Sequence, residues 1–218
     1  MHLQKEYIDT KIAVGSNLES VSCYLCGSST SRHFCYAQDD LTGRPGKFKF
    51  VTCSECNLTY QNPRVPVSEI GAFYDEEYIA HRKKKNWGLF SGMYEKAMDK
   101  HDSAKMEIVS KYVSLSAEST VLDVGCAVGS FLGKLKKIHN LRALGIDFKD
   151  LRAEVESRGA EFFLGSLAEL YLPPKSCDLV TMWHFLEHDY SPMESLKKCL
   201  GLLKEDGRII IEVPRLDS

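Results

Sequence analysis

The residue pattern predicts an α/β chain: a doubly wound parallel sheet with a small metal-held module in front of it. Three observations carry that expectation. From Thr120 to Val213, short apolar runs alternate with stretches of helical periodicity. The first run ends in a turn of small residues, Gly125, Ala127 and Gly129, and the second ends on Asp147. Two C-x-x-C pairs, Cys23/Cys26 and Cys53/Cys56, come before both.

Within the sheet region, residues 120–124 (TVLDV) predict a short buried strand. Residues 130–140 predict a helix with Phe131, Leu132, Leu135 and Ile138 turned inward. Residues 143–147 form the second expected strand, followed by a helix around 151–157, and residues 161–164 form the third. Residues 177–183 predict the fourth strand, a helix covers about 192–203, and residues 207–213 are the fifth strand. Strands alternating with helices imply parallel pairing with both sheet faces covered.

The front module rests on its cysteines. Of the eight in the chain, four fall into the two C-x-x-C pairs, while Cys35, Cys126, Cys177 and Cys199 are scattered. Cys177 and Cys199 lie in apolar stretches and are expected as core fillers. Each pair is followed by a residue that tolerates left-handed backbone, Gly27 and Asn57, as a knuckle turning back on a metal requires. Polar–apolar alternation over residues 32–36 and 47–52 predicts two strands around a turn-rich segment, so Cys23, Cys26, Cys53 and Cys56 predict a zinc ribbon. Four thiolates close a tetrahedral shell, which makes such a zinc structural rather than catalytic. A redox role fits less well, since neither pair opens a helix after a buried strand.

Pro63 and Pro66 close the module, and residues 68–78 predict a short capped helix. His81 to Lys85 is the one basic run and is expected as a solvated loop. A long helical pattern follows, with Tyr94, Met98, Lys105, Met106, Val109, Tyr112 and Val113 on one stripe. The expected domains are an extension over 1–20, the ribbon over 21–63, a helical connector over 64–115 and the sheet domain over 116–218.

A chain of 218 residues with a formal net charge of −2 has no global field to attract nucleic acid or an anionic membrane. No signal peptide and no membrane-length apolar run stand in the sequence, so the expectation is a cytoplasmic protein.

In sheets of this kind, ligands bind beyond the carboxyl ends of the strands, at the switch point. The turn at 125–129 is placed there, and small side chains let a ligand approach the backbone. Asp147, 22 residues after Gly125, can accept from both hydroxyls of a ribose. The spacing Gly-Cys-Ala-Val-Gly-Ser misses the G-x-G-x-x-G of nicotinamide enzymes.

The string LDVGCAVGSFL over 122–132 resembles the first motif of class I S-adenosylmethionine-dependent methyltransferases, with Ala127 where glycine is usual. Gly145-Ile-Asp147, Cys177-Asp-Leu-Val with Trp-His-Phe-Leu-Glu-His188, and Leu203 to Pro214 fit as well. Together with the knuckles and Tyr60-Gln-Asn-Pro63, residues 21–218 resemble a subfamily with an N-terminal zinc ribbon, many of whose members are linked to sugar, polysaccharide or secondary-metabolite pathways. The resemblance implies a Rossmann-like fold, S-adenosylmethionine and zinc as cofactors, and a small-molecule methyl acceptor. It assigns the methionine part to Gly125, Ala127 and Gly129, the ribose to Asp147, and the adenine to Gly165, Ser166 and Leu167, and counts Asp123, Phe148 and Trp183 among the cofactor-binding residues. Many relatives carry an acidic residue near Ser166.

Methyl transfer is a displacement at an electrophilic sulfonium methyl, and a hydroxyl or carbon acceptor must also lose a proton. His184, just past the fourth strand, is the favoured base, with His188 and Glu187 next; at i and i+4 the two histidines would share a helix face. Tyr74 and Tyr78 are candidates to close over the cofactor. Residues 184–188 also spell H-x-x-E-H, a metalloprotease string that needs mid-helix placement.

The family's sheet has seven strands, and the sequence holds residues for five. The fifth is expected as an exposed edge or one covered by the connector helix or a second subunit. Two alternatives stay open: an RNA methyltransferase, against which the acidic balance argues, and a non-catalytic cofactor-binding protein.

Overall fold

The computed structural model describes residues 18–38, 46–73 and 91–215. The chain divides into two compact units, Met1–Tyr78 and Ile79–Ser218. The stretch expected as one connector is therefore shared. Its first turns go with the first unit, and its long helix goes with the second.

In the first unit, β1 (Ser31–Ala37), β2 (Phe48–Cys53) and β3 (Thr59–Gln61) form an antiparallel sheet in that order. The third strand was not anticipated, because three residues are too few to show alternation. Gly27 (φ 75°) and Asn57 (φ 62°) take the left-handed conformation expected after each C-x-x-C. Cys23, Val51, Cys53 and Tyr60 make its small core. Arg64 closes the module by a 2.7 Å ion pair to Glu19, with its guanidinium over the Tyr24 ring. The helix expected from 68 begins one residue earlier, α1 (Val67–Ile70), and continues as a 3-10 turn, Gly71–Phe73. Pro66 stands at its N-cap with no side-chain cap, so Ser68 lies inside the first turn rather than capping it.

The second unit opens with α2 (Ser91–Tyr112). It then alternates β4 (Thr120–Val124), α3 (Ser130–His139), β5 (Arg142–Asp147), α4 (Arg152–Glu156), β6 (Glu161–Leu164), β7 (Cys177–Trp183), α5 (Pro192–Leu202) and β8 (Leu203–Glu212). The sheet order is β6-β5-β4-β7-β8, every pair parallel. Successive residues of β4 enter opposite cores: Val121 packs with Phe131, Leu132 and Leu135, and Leu122 and Val124 pack with Leu144, Val180 and Met182. Both faces are covered, which is why the strands read as apolar runs. Cys177 and Cys199 are fully buried in the second core, as expected.

Two local readings change. Ile138, expected inward, is 58% exposed, because α3 is already anchored through Phe131, Leu132 and Leu135. β8 starts at Leu203, directly from α5, rather than near Gly207. A register shift between Cys177 and Leu179 lets the extra residues pair, and a Cβ on Gly207 would stand 3.0 Å from the Cys177 carbonyl oxygen. A side chain there would crowd that carbonyl and the Lys204 backbone. β8 is the edge of the described sheet, with Ile209, Ile210 and Ile211 half-buried. No helix among the described residues is long and apolar enough to cross a membrane.

Candidate active site

The carboxyl ends of β4, β5, β6, β7 and β8 gather most of the residues expected in the site. After β4 the backbone runs left-handed at Gly125 (φ 74°), Ala127 (φ 48°) and Gly129 (φ 71°). Left-handed geometry costs an alanine roughly 1–2 kcal/mol, so the surrounding contacts must hold it. They do. The N–H groups of Gly125 and Cys126 donate to the Ile146 carbonyl at 2.9 and 3.2 Å, and the Ala127 N–H donates to Asp147 Oδ2 at 3.0 Å. Asp147 Oδ1 accepts from the Lys149 N–H, also at 3.0 Å. The carboxylate at the end of β5 thus faces the small-residue turn after β4.

The glycines of that turn also serve packing. A Cβ at Gly125 would fall 2.7 Å from Phe185 Cδ2, and one at Gly129 would fall 3.0 Å from Val155 Cγ2. Phe185, from the loop after β7, lies against the turn, a partner that the sequence reading did not assign to it. Gly145 in β5 leaves room for Cys126, whose Sγ would stand 2.6 Å from an added Cβ.

Behind the turn sits a buried polar group. Asp123 is 3% exposed and accepts a 2.6 Å hydrogen bond from the Thr181 hydroxyl. Burial raises its carboxyl to about 7, with Asp102 and Asp147 adding to the rise while Lys105 and Thr181 oppose it. Lys105 lies 3.7 Å from Asp102 Oδ1, and its ammonium stands over the rings of Phe131 and Trp183 at 5.6 and 5.4 Å. Those rings meet edge to face at 5.4 Å. Asp102 Oδ1 and Trp183 Nε1 are buried without a hydrogen-bond partner. Sequence reasoning placed Lys105 on an apolar stripe and passed over Asp102; the break in that stripe was the available signal.

On the far side, the Gly165 N–H donates to the Asp147 carbonyl at 3.0 Å. Ser166 donates through both its N–H (3.0 Å) and its hydroxyl (2.8 Å) to Glu169 Oε2, which lowers the Glu169 pKa. Leu167 is buried and Phe148 is largely exposed. Glu169 is the acidic residue near Ser166, three positions later than Ser166 itself.

After β7, His184 takes φ 53°, and its N–H donates to the Glu212 carbonyl at 2.9 Å. Its Nε2 is 2.9 Å from Glu212 Oε1 and its Nδ1 is 3.5 Å from Glu187 Oε1. His188 Nε2 is 3.9 Å from the same Glu187 oxygen. Leu186–His188 is a 3-10 turn, so the two histidines share no α-helical face, and the H-x-x-E-H reading loses the helix it needs. What joins them is Glu187. Burial lowers the pKa of His188, with His184 acting in the same direction and Glu187 against both. Glu212 and His101, whose ring stacks on His184 at 6.5 Å, were missed, since they lie 28 and 83 residues from it in sequence. Tyr74, Tyr78 and the basic run 81–85 lie outside the described residues.

In the first unit, Cys23, Cys26, Cys53 and Cys56 bring their sulfurs within 4.8 Å of one another, with Cys23–Cys56 at 3.4 Å and Cys26–Cys53 at 3.5 Å. Tetrahedral zinc with sulfur at about 2.3 Å spaces the thiolates about 3.8 Å apart, so the donor set fits that ion. A cleft of about 410 Å³ opens at the amino end of β7, among Val113, Asp178, Lys204 and Arg208. It lies at the end of the sheet opposite the turn and takes no part in the site.

Residues 94–218 match the family described as a methyltransferase domain. A Mycolicibacterium smegmatis protein named a probable S-adenosylmethionine-dependent methyltransferase is 28% identical over 97 residues, 43% of this chain. The chain spans only 37% of that curated relative's length. Among solved structures, the YcgJ protein of Bacillus subtilis is 22% identical, with a TM-score of 0.45 and coverage of 51% of this chain and 50% of its own. A Haemonchus contortus phosphoethanolamine N-methyltransferase is 17% identical, with a TM-score of 0.46 and coverage of 50% and 27%. Scores below 0.5 say nothing of substrate or site. The family match covers more than half of the sequence, and it includes the turn after β4, Asp147 and the end of β7: the chain belongs to the methyltransferase domain family.

Proposed function

We propose that the chain binds S-adenosylmethionine at the carboxyl ends of β4, β5 and β6 and transfers its methyl group to a small-molecule acceptor, with sugars and nucleotide sugars the first class to test. The observation that carries this reading is Asp147 facing the left-handed turn at Ala127. Beside it, Asp102 and Lys105 offer one carboxylate and one ammonium, the complement of an amino-acid zwitterion, with the carboxyl of Asp123 close to both. Asp147 takes the ribose hydroxyls, Ser166 and Leu167 flank the base with Phe148 over it, and the buried indole of Trp183 keeps water out.

When bound, S-adenosylmethionine supplies an electrophilic methyl group on sulfur. The chain's own task is to align the acceptor and receive its proton. We assign the proton to His188 rather than His184. His184 has a carboxylate against each ring nitrogen, whereas His188, its pKa below the ordinary 6.5, is neutral at pH 7 and able to accept. Glu187 stands between the two rings and steadies His188. In the first unit the four cysteines are assigned one structural zinc, which supplies stability that so small a core lacks.

Titration calorimetry of the full chain with S-adenosylmethionine tests the reading. Asp147→Ala should weaken binding by about 10- to 100-fold, the loss of hydrogen bonds to a charged group. Equal affinity in the variant would overturn the assignment. A methyl-transfer panel of nucleotide sugars, small metabolites and RNA then identifies the acceptor. Transfer to RNA alone would replace the small-molecule class.

A further inference from the structure

We propose that His101, His184 and Glu212 form a binding site for one divalent transition cation at the carboxyl edge of β7 and β8. Each residue offers one ligand atom, and the three atoms lie within 4.8 Å of one another. They come from three separate elements: α2, the residue after β7 and the last residue of β8. The closest pair, His184 Nε2 and Glu212 Oε1, is 2.9 Å apart. A cation with donors at about 2.1 Å spaces neighbouring ligand atoms about 3 Å apart and opposite ones about 4 Å, so a small closing movement completes the set.

Two features single this cluster out from an ordinary surface group. His184 is held in left-handed backbone, φ 53°, which is uncommon for a residue with a side chain. It is tied to Glu212 twice, through its N–H to the Glu212 carbonyl and through its ring to the Glu212 carboxylate. The second feature is electrostatic. Both ring nitrogens of His184 face carboxylates, Glu212 at 2.9 Å and Glu187 at 3.5 Å. A neutral imidazole has one ring proton, so one of its nitrogens presents a lone pair to an anion. A cation held by His184 Nε2 and Glu212 removes that conflict. Glu187 then accepts the Nδ1 proton and fixes the ring, as carboxylates behind metal-bound histidines do.

Two imidazoles and a carboxylate suit Mn2+, Fe2+, Co2+ or Zn2+, whereas the four thiolates of the first unit select soft ions. Three protein ligands also leave coordination positions open. An acceptor oxygen bound there would lose its proton more easily. That use rests on the methyl-transfer reading, whereas the site itself does not.

The test uses the full chain loaded with one equivalent of zinc, which the four thiolates take in preference to two imidazoles and a carboxylate, and titrated with Mn2+, which thiolates bind poorly, with free Mn2+ followed by electron paramagnetic resonance. One saturable site is expected. His101→Ala and Glu212→Gln should each weaken it at least about tenfold, and Glu187→Gln should weaken it less. All three side chains are at least partly exposed, so the variants should fold. No saturable Mn2+ binding, or equal affinity in His101→Ala and Glu212→Gln, overturns the proposal. S-adenosylmethionine calorimetry on the same samples separates this failure from failure of the methyl-transfer reading.

Discussion

Replacing Asp123 with asparagine should stabilise the cofactor-free protein at alkaline pH. The carboxyl is 3% exposed, and its pKa is raised from 3.8 to about 7, chiefly by burial. A raised acid contributes stability below its unfolded value and loses it as pH rises through the folded one. The gap of roughly 3 between the two values corresponds to about 4 kcal/mol once the group is ionised in both states. Between pH 5 and pH 8, about 2–3 kcal/mol of that should develop. Asparagine never ionises, and its side-chain oxygen can still accept from the Thr181 hydroxyl. Urea unfolding followed by tryptophan fluorescence reads the second unit through the buried Trp183. The variant's advantage over the parent should grow by about 2–3 kcal/mol from pH 5 to pH 8. An advantage that stays flat or shrinks with pH would refute the reasoning, because it would mean that Asp123 is not the buried acid whose ionisation the fold resists.

Two further outcomes follow from packing and from the cysteines. Gly145→Ala puts a Cβ 2.6 Å from Cys126 Sγ and 2.9 Å from Leu132 Cδ1, so it should lower the stability of the second unit by about 1–3 kcal/mol in the same urea assay. A neutral result would show that Cys126 can move aside. Cys53→Ser removes one of four sulfurs within 4.8 Å; metal analysis should show zinc lost, and circular dichroism should show the strand signal of the first unit lost, while the tryptophan transition of the second unit persists. Retained zinc at the parent's stoichiometry would argue against a four-thiolate site.

Much of the fold was legible because its signals are local. Apolar runs and helical periods are properties of neighbouring residues, so the five parallel strands emerged in order. The two knuckles were legible for the same reason: Gly27 and Asn57 follow their cysteines directly, and both adopt the expected positive φ. The failures are equally instructive. β3 is too short to show a period, and the start of β8 depends on a register shift against β7 that no local pattern reveals. Lys105 sits where helical spacing predicts core, and only the rings of Phe131 and Trp183 beneath it show how an ammonium is tolerated there.

The sequence by itself determined the order of strands and helices, the pairing of small residues at 125–129 with the acid at 147, and the four cysteines that converge, because each is encoded in spacing along the chain. Only the tertiary structure decided which side chains meet across it. Asp102 and Lys105, one turn apart on α2, come to lie near Asp123 of β4; Phe185 fills the space over Gly125; and His101 and Glu212 meet at His184. The physical reason is that parallel strands joined by crossover helices bring the carboxyl ends of distant segments to one edge. A carboxylate's titration, like a histidine's partners, is set by the burial and charge it finds at that edge rather than by its neighbours in sequence.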